Sequence, residues 1–254
     1  MASQERFGYE WGKYSEINAV YESQFERWVQ PLTKESFVGK KVLDVGCGMG
    51  RNSFWALVWG AREVVAFDFD RRSVAAATKN LQDKPAHVLF QSVYDSMWKD
   101  EFDIVMSIGV IHHLKEPKVA IKKMVEATKS GGQILIWVYG YEGNEWIVRF
   151  VNPVRKAITS KIPVRMVHLI AYFCSVPLWG FVKVVPTRNV YVQQLSTFGF
   201  HHIHSIVFDQ LIPEVANYWK RDEAVDLFSH IPGVVVEHVT NTNQNSWTVI
   251  AKKT

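Results

Sequence analysis

The stretch Asp44-Val45-Gly46-Cys47-Gly48-Met49-Gly50 sets three alternating glycines behind an acid. Glycines in such a loop let the backbone turn tightly and approach a ligand closely. A helix starting just after them offers free N–H groups that can hold a carboxylate or a phosphate. Asp68 lies twenty-two residues beyond Gly46, at the end of an apolar run. A carboxylate in that place can accept hydrogen bonds from both hydroxyls of a ribose. Asp70 is its competitor, but a position just before Arg71-Arg72-Ser73 suits a helix cap better. His112 and His113 form a third candidate group, since an imidazole with a pKa near neutrality is a suitable general base. A nicotinamide-binding loop asks for G-x-G-x-x-G. Gly46 and Gly48 fit that pattern, but Arg51 stands where the third glycine belongs. This argues against a nicotinamide-dependent oxidoreductase.

These residues need elements to position them. Ile17, Val20, Tyr21, Phe25 and Trp28 recur at spacings of three and four, which predicts a helix over 14–30. Apolar runs at 40–46, 63–69, 87–92, 102–109 and 133–140 read as buried strands. Helices are expected between them at 51–60, 71–82 and 116–130, the last stopped by Gly131 and Gly132. Continuously apolar strands alternating with helices imply a parallel sheet covered on both faces. Right-handed crossovers make that sheet doubly wound. The pattern lapses at about residue 141 and resumes with a helix at 220–228. Two further strands, 233–239 and 245–253, are joined by a short polar turn and so pair as an antiparallel hairpin. Ligands of open α/β sheets bind outside the carboxyl ends of the strands, where the strand order reverses. The glycine loop, Asp68 and the two histidines all fall at such ends.

The segments VLDVGCGMGRNSF, VVAFDFD, FDIVMSIGVIHHL and KSGGQILIWVYG, in this order and at this spacing, resemble the successive motifs of class I S-adenosylmethionine-dependent methyltransferases, of the small-molecule, type 11-like kind. The resemblance covers roughly residues 38–140 and, more loosely, 219–253. It implies a Rossmann-like, doubly wound, seven-stranded α/β sheet, mostly parallel, with the last strand inserted antiparallel beside the fifth. It implies one methyltransferase domain over 1–254, an N-terminal helical cap over 1–37, and a helical lid over 141–217. S-adenosylmethionine is the implied cofactor. Gly46, Gly48 and Gly50 would face its methionine part, and Asp44 would support the loop or bind the amino group. Asp68 would take the ribose, with Phe69 beside the adenine. Ser107 and Ile108 would reach the methionine end through backbone groups. In the third loop Val93 and Tyr94 depart from the usual acid and small residue, leaving adenine to a backbone N–H and to stacking on Tyr94. His112 and His113 are the catalytic candidates, His113 being the more structural of the two. Some quinone-pathway enzymes of this fold hold a metal with carboxylates near this motif; Gly109 and His112 stand there instead, so no metal is expected.

The 141–217 insertion carries the aromatic residues Trp146, Phe150, Tyr172, Phe173, Trp179, Phe181 and Tyr191. Within it, MVHLIAYFCSVPLWGFV (166–182) lacks Asp, Glu, Lys and Arg. Seventeen residues interrupted by Pro177 and Gly180 read as a poor membrane span, which needs about 20 apolar residues. A lid helix over an apolar substrate is the first reading; a helix dipping into a membrane interface, or plain core or dimer packing, are the others. Trp11, Tyr139, Trp146, Asp209 and Gln210 are the candidate substrate residues, Asp209 and Gln210 either orienting substrate or tying the lid down. Residues 141–200 hold seven Lys or Arg against two acids, in a chain of net charge +4. This excess can attract an anionic acceptor or a membrane surface. No basic–aromatic stripe or added RNA-binding module stands out, so a nucleic-acid partner is not expected. Two cysteines form no disulfide framework, and the N-terminus shows no apolar secretory segment, so a cytoplasmic location is expected. The expected function is methyl transfer to a small apolar or amphipathic acceptor; a methyltransferase-like protein that binds a partner without chemistry is the alternative. The oligomeric state is open.

Overall fold

The computed structural model describes residues 16–187 and 190–254. Its first helix, α1 (Val20–Val29), is shorter than its periodicity suggests and stops ahead of Pro31, which disfavours helical backbone just before it. A single turn, α2 (Lys34–Phe37), leads into the sheet. Then come β1 (Lys41–Val45), α3 (Arg51–Val58), β2 (Glu63–Asp68), α4 (Arg71–Leu81), β3 (Ala86–Phe90), β4 (Phe102–Ile108), α5 (Pro117–Ala127) and β5 (Thr128–Tyr139).

The sheet has seven strands in the order β3-β2-β1-β4-β5-β7-β6, with β6 (Val234–Thr242) and β7 (Ser246–Lys253) forming the terminal hairpin. The first five strands pair in parallel, and β7 runs antiparallel between β5 and β6, as the resemblance implies. The order reverses between β1 and β4, which opens a crevice at their carboxyl ends. Alternation along the strands feeds two cores. Leu43, Val45, Phe67 and Val105 pack against α5 and α10 (Arg221–Asp226) on one face. Val42, Val64, Ile104 and Met106 pack on α1 and α3 on the other.

One boundary differs from expectation. The fifth strand begins at Thr128, before the glycine pair, rather than after it. Its pairing with β4 jumps from Phe102↔Thr128 to Ile104↔Gln133. Gly131 and Gly132 therefore sit in an irregularity of the strand instead of capping the helix, and side-chain-free residues tolerate that bend.

The insertion is helical. A run formed by Ile147–Val151, Asn152–Val154 and Arg155–Thr159 (α6) leads to α7 (Val164–Val184), α8 (Val190–Thr197) and α9 (Phe200–Leu211). Val167 and Ala171 of α7 pack on Phe208 and Leu211 of α9, and Val182 packs with Leu195, Phe198 and Ile203. Pro177 and Gly180 do not break α7, which stays helical for 21 residues. Proline removes one internal hydrogen bond, and the packed face offsets that loss. Among the described residues α7 is the one helix long and apolar enough to cross a membrane, by length and composition.

Candidate active site

A cavity of about 890 Å³ opens at the carboxyl ends of β1 and β4 and runs under the lid. Such a volume suits a cofactor together with a small acceptor.

The glycine loop forms its floor. The N–H groups of Gly46 and Cys47 both donate to the carbonyl of Phe67, at 2.9 Å each, which folds the loop back over β2. The three glycines serve different ends. Gly46 has φ of +76°, and a Cβ there would lie 2.6 Å from a methyl of Val110 in the loop after β4. Gly50, at φ +84°, turns toward α4, where a Cβ would meet Ala77 and Leu81 at 3.1–3.2 Å. Gly46 and Gly48 line the cavity and Gly50 does not.

Asp68 sits between two loops. Its Oδ2 accepts the Gly48 N–H at 3.0 Å and its Oδ1 accepts the Asp70 N–H at 2.9 Å. Each carboxylate oxygen keeps a second acceptor position for a ligand. Burial pushes the Asp68 pKa up to about 6. Asp70 caps α4, accepting the N–H groups of Arg72 and Ser73. Asp44 is buried and its Oδ2 accepts the Ser53 hydroxyl at 2.6 Å. Burial pushes its pKa up to about 7. Asp44 is absent from the cavity wall and ties β1 to α3, in keeping with loop support.

Phe69 projects into the cavity, 47% exposed, and stacks on Phe90 with planes 10° apart. Val93 and Tyr94 line the same end, where Ser92 Oγ accepts the Tyr94 N–H and the Tyr94 hydroxyl accepts the Glu116 N–H. Ile108 lines the cavity, whereas Ser107 is buried behind it and donates its hydroxyl to the Val45 carbonyl.

The two histidines divide differently from expectation. His113 lines the cavity; His112 is buried behind the wall, stacked on Tyr139 at 3.7 Å. His113 Nδ1 lies 2.8 Å from the Val215 carbonyl, which can only accept. The proton is therefore on Nδ1, and Nε2 is the accepting nitrogen. Burial brings the His113 pKa down to about 4 and that of His112 well below its ordinary value. Both rings are neutral at pH 7.

Tyr139, Trp146, Asp209 and Gln210 all reach the cavity from the lid side. Gln210 donates to the Tyr139 hydroxyl at 3.2 Å and accepts from the Tyr218 hydroxyl at 3.1 Å, tying α9 to β5. Trp11 lies outside the described residues.

Three contributors were not anticipated. Arg51 lines the cavity with its guanidinium 5.2 Å from the Tyr21 ring and 5.0 Å from the Trp28 ring. His202 of α9 stacks on Phe198 and meets Tyr21 edge-on, which brings lid and α1 together over the glycine loop. Asn144 is buried and donates to the carbonyls of Gly140 and Asn245, pinning the start of the lid to the last hairpin. The helical spacing of Tyr21 and Trp28 was the available signal for the first; the other two depend on long-range contacts.

Residues 43–136 match the methyltransferase domain family. Those residues carry the methyltransferase domain, and the fold around them is that of the class I S-adenosylmethionine-dependent methyltransferases. A tRNA U34 carboxymethyltransferase of Pseudoalteromonas atlantica is 30% identical over 171 residues, 66% of this chain and 50% of the relative. A ubiquinone biosynthesis O-methyltransferase of Idiomarina loihiensis is 28% identical over 121 residues, 46% of this chain and 49% of the relative. The chain thus spans about half the length of these curated relatives. Among solved structures, magnesium protoporphyrin IX methyltransferase from Synechocystis with bound S-adenosylhomocysteine superimposes with a TM-score of 0.59 at 13% identity, over 97% of this chain and 94% of that one. A methyltransferase from Mesorhizobium loti gives 0.54 at 14%, over 92% and 96%. These two likenesses concern the fold.

The cavity fits the cofactor of the matched domain family, S-adenosylmethionine. Asp68 would offer acceptors to ribose hydroxyls, Phe69 an apolar face to adenine, and Gly48 a loop without side chain. Arg51 and the N-terminus of α3 supply positive potential for a carboxylate.

Proposed function

We propose that this methyltransferase acts on a small apolar or amphipathic acceptor held between the sheet edge and the lid. The observation that carries the reading is the continuity of one cavity. Gly48 and Asp68 line one end, and Tyr139, Trp146, Ile147, Val151 and Leu178 line the other. When bound, the cofactor supplies an electrophilic methyl group on a sulfonium sulfur. The chain's work is then to align an acceptor with that methyl group and to keep water away. The apolar lid wall favours apolar acceptors, and Lys115 on the cavity wall suits an acidic group on them. For a hydroxyl or carbon-acid acceptor, His113 Nε2 takes the proton, oriented by the bond from Nδ1 to Val215. His112 supports the loop and the Tyr139 ring.

The name of the Pseudoalteromonas atlantica relative favours a second reading, a tRNA acceptor. A screen of S-adenosylhomocysteine release separates the two. Lipophilic phenols and aromatic carboxylic acids form one arm and bulk tRNA the other. The small-molecule reading expects turnover in the first arm and none in the second. Turnover on tRNA alone overturns it. Cofactor binding without turnover in either arm favours a partner-binding protein that does no chemistry.

A further inference from the structure

The lid presents an apolar surface to solvent where a soluble lid would present a polar one. Helix α7 packs one face on α9, yet its opposite face is also apolar, with Leu169, Phe173, Val176 and Val184 all exposed. Phe173 is 75% and Val184 79% accessible. Helix α6 adds a second stripe: Trp146, Phe150, Val154 and Ile158 lie four residues apart, each exposed. Exposed apolar surface on this scale marks a docking face.

Charge identifies the occupant. No Asp or Glu occurs between Glu145 and Asp209. The exposed cations Arg149, Lys156, Lys161, Arg165 and Lys183 border the apolar stripes. A second copy of the same face would bring like charges together. A polynucleotide would satisfy the charges but offers no partner for Leu169, Val176, Ile158 and Val184. An anionic bilayer satisfies both, taking the apolar side chains among its acyl chains and the cations at its headgroups.

We infer that α6 and α7 dock this methyltransferase on an anionic phospholipid membrane and that its acceptor enters from the lipid side. Docking is by one face rather than by spanning. The other face of α7 stays fixed to α9 through Val167 and Ala171, and through Ser175, whose hydroxyl lies 3.0 Å from His204. The route is continuous: Trp146 belongs to the exposed stripe and to the cavity wall, and Cys174 and Leu178 of α7 line the same cavity. The route for the acceptor rests on the proposed function; the docking does not.

The test is flotation of the full chain with phosphatidylcholine vesicles, with and without phosphatidylserine. Wild type should float with the serine-lipid vesicles and fall away as salt rises. Leu169→Asp with Phe173→Asp should lower partition about a hundredfold, since each removes a buried apolar side chain from lipid. Lys156→Glu with Lys161→Glu should lower it about tenfold or more. None of these four residues lines the cavity, so S-adenosylhomocysteine affinity should be unchanged, which also verifies folding. Wild type that stays unbound, variants that float equally, capture by tRNA instead of vesicles, or a dimer dispersed by the Asp variants would each overturn the inference. Unbound vesicles with intact S-adenosylhomocysteine binding would leave the methyltransferase reading standing; loss of that binding would sink the reading whatever the vesicles do.

Discussion

At the sheet edge, position is set by polar bonds made over a few ångströms. Asp68 holds two loops through two backbone N–H groups, Asp44 holds α3 through Ser53, and His113 is oriented by Val215. In the lid, position comes mainly from apolar packing of α7 and α8 on α9, with a few ties such as Gln210 to Tyr139 and Tyr218. Hydrogen bonds are directional and fix a geometry; apolar contacts are not and leave room for sliding. On the proposed function, the hydrogen-bonded edge would recognise the cofactor and the apolar cover would select the acceptor.

Substitutions at the edge should therefore be costly and those in the lid graded. Gly46→Val should have the largest effect. Its Cβ would collide with Val110 at a positive φ, and urea unfolding should show a loss of about 3 kcal/mol or more. Asp68→Ala should weaken S-adenosylhomocysteine binding about a hundredfold, through the loss of charged hydrogen bonds. Unchanged affinity would remove the ribose assignment. His113→Ala should lower turnover about a hundredfold on an acceptor that must lose a proton, with cofactor affinity kept. His112→Ala should instead lower stability, because it empties a buried, stacked position. Equal kinetic losses in the two variants would break the division between them.

Acidity offers a subtler probe. Burial raises the Asp68 pKa to about 6, and on the ribose assignment the ionised form would be the one that accepts the hydroxyls. Protonation competes with ligand, so affinity should fall as pH drops through 6, about tenfold between pH 7 and pH 5. Asp68→Asn should remove that part of the pH dependence. Gln210→Ala should have the smallest effect. It loses the ties to Tyr139 and Tyr218, worth about 1–2 kcal/mol, and should raise KM for the acceptor more than it lowers kcat.

The edge was more legible than the lid for a physical reason. Strand ends and their glycines are local features, so Asp44, Gly46, Gly48 and Asp68 could be placed from spacing alone. The choice between His112 and His113 could not. Both occupy one tight turn, and the orientation is decided by Val215, 102 residues away. Arg51 was visible only as a missing glycine, because its stacking on Tyr21 and Trp28 depends on how α1 packs. Pro177 and Gly180 count against a membrane span in the sequence, yet α7 stays helical through them while packed on α9 and α8. Tertiary packing overrides local propensity most easily where a helix has a long apolar face.

The measurement that bears most directly on the central claim is calorimetric titration of the full chain with S-adenosylhomocysteine and, separately, with NAD. The account predicts binding of the first at a single site that Asp68→Ala disrupts, and no binding of the second. Binding of NAD, or S-adenosylhomocysteine binding that is indifferent to Asp68, would contradict it.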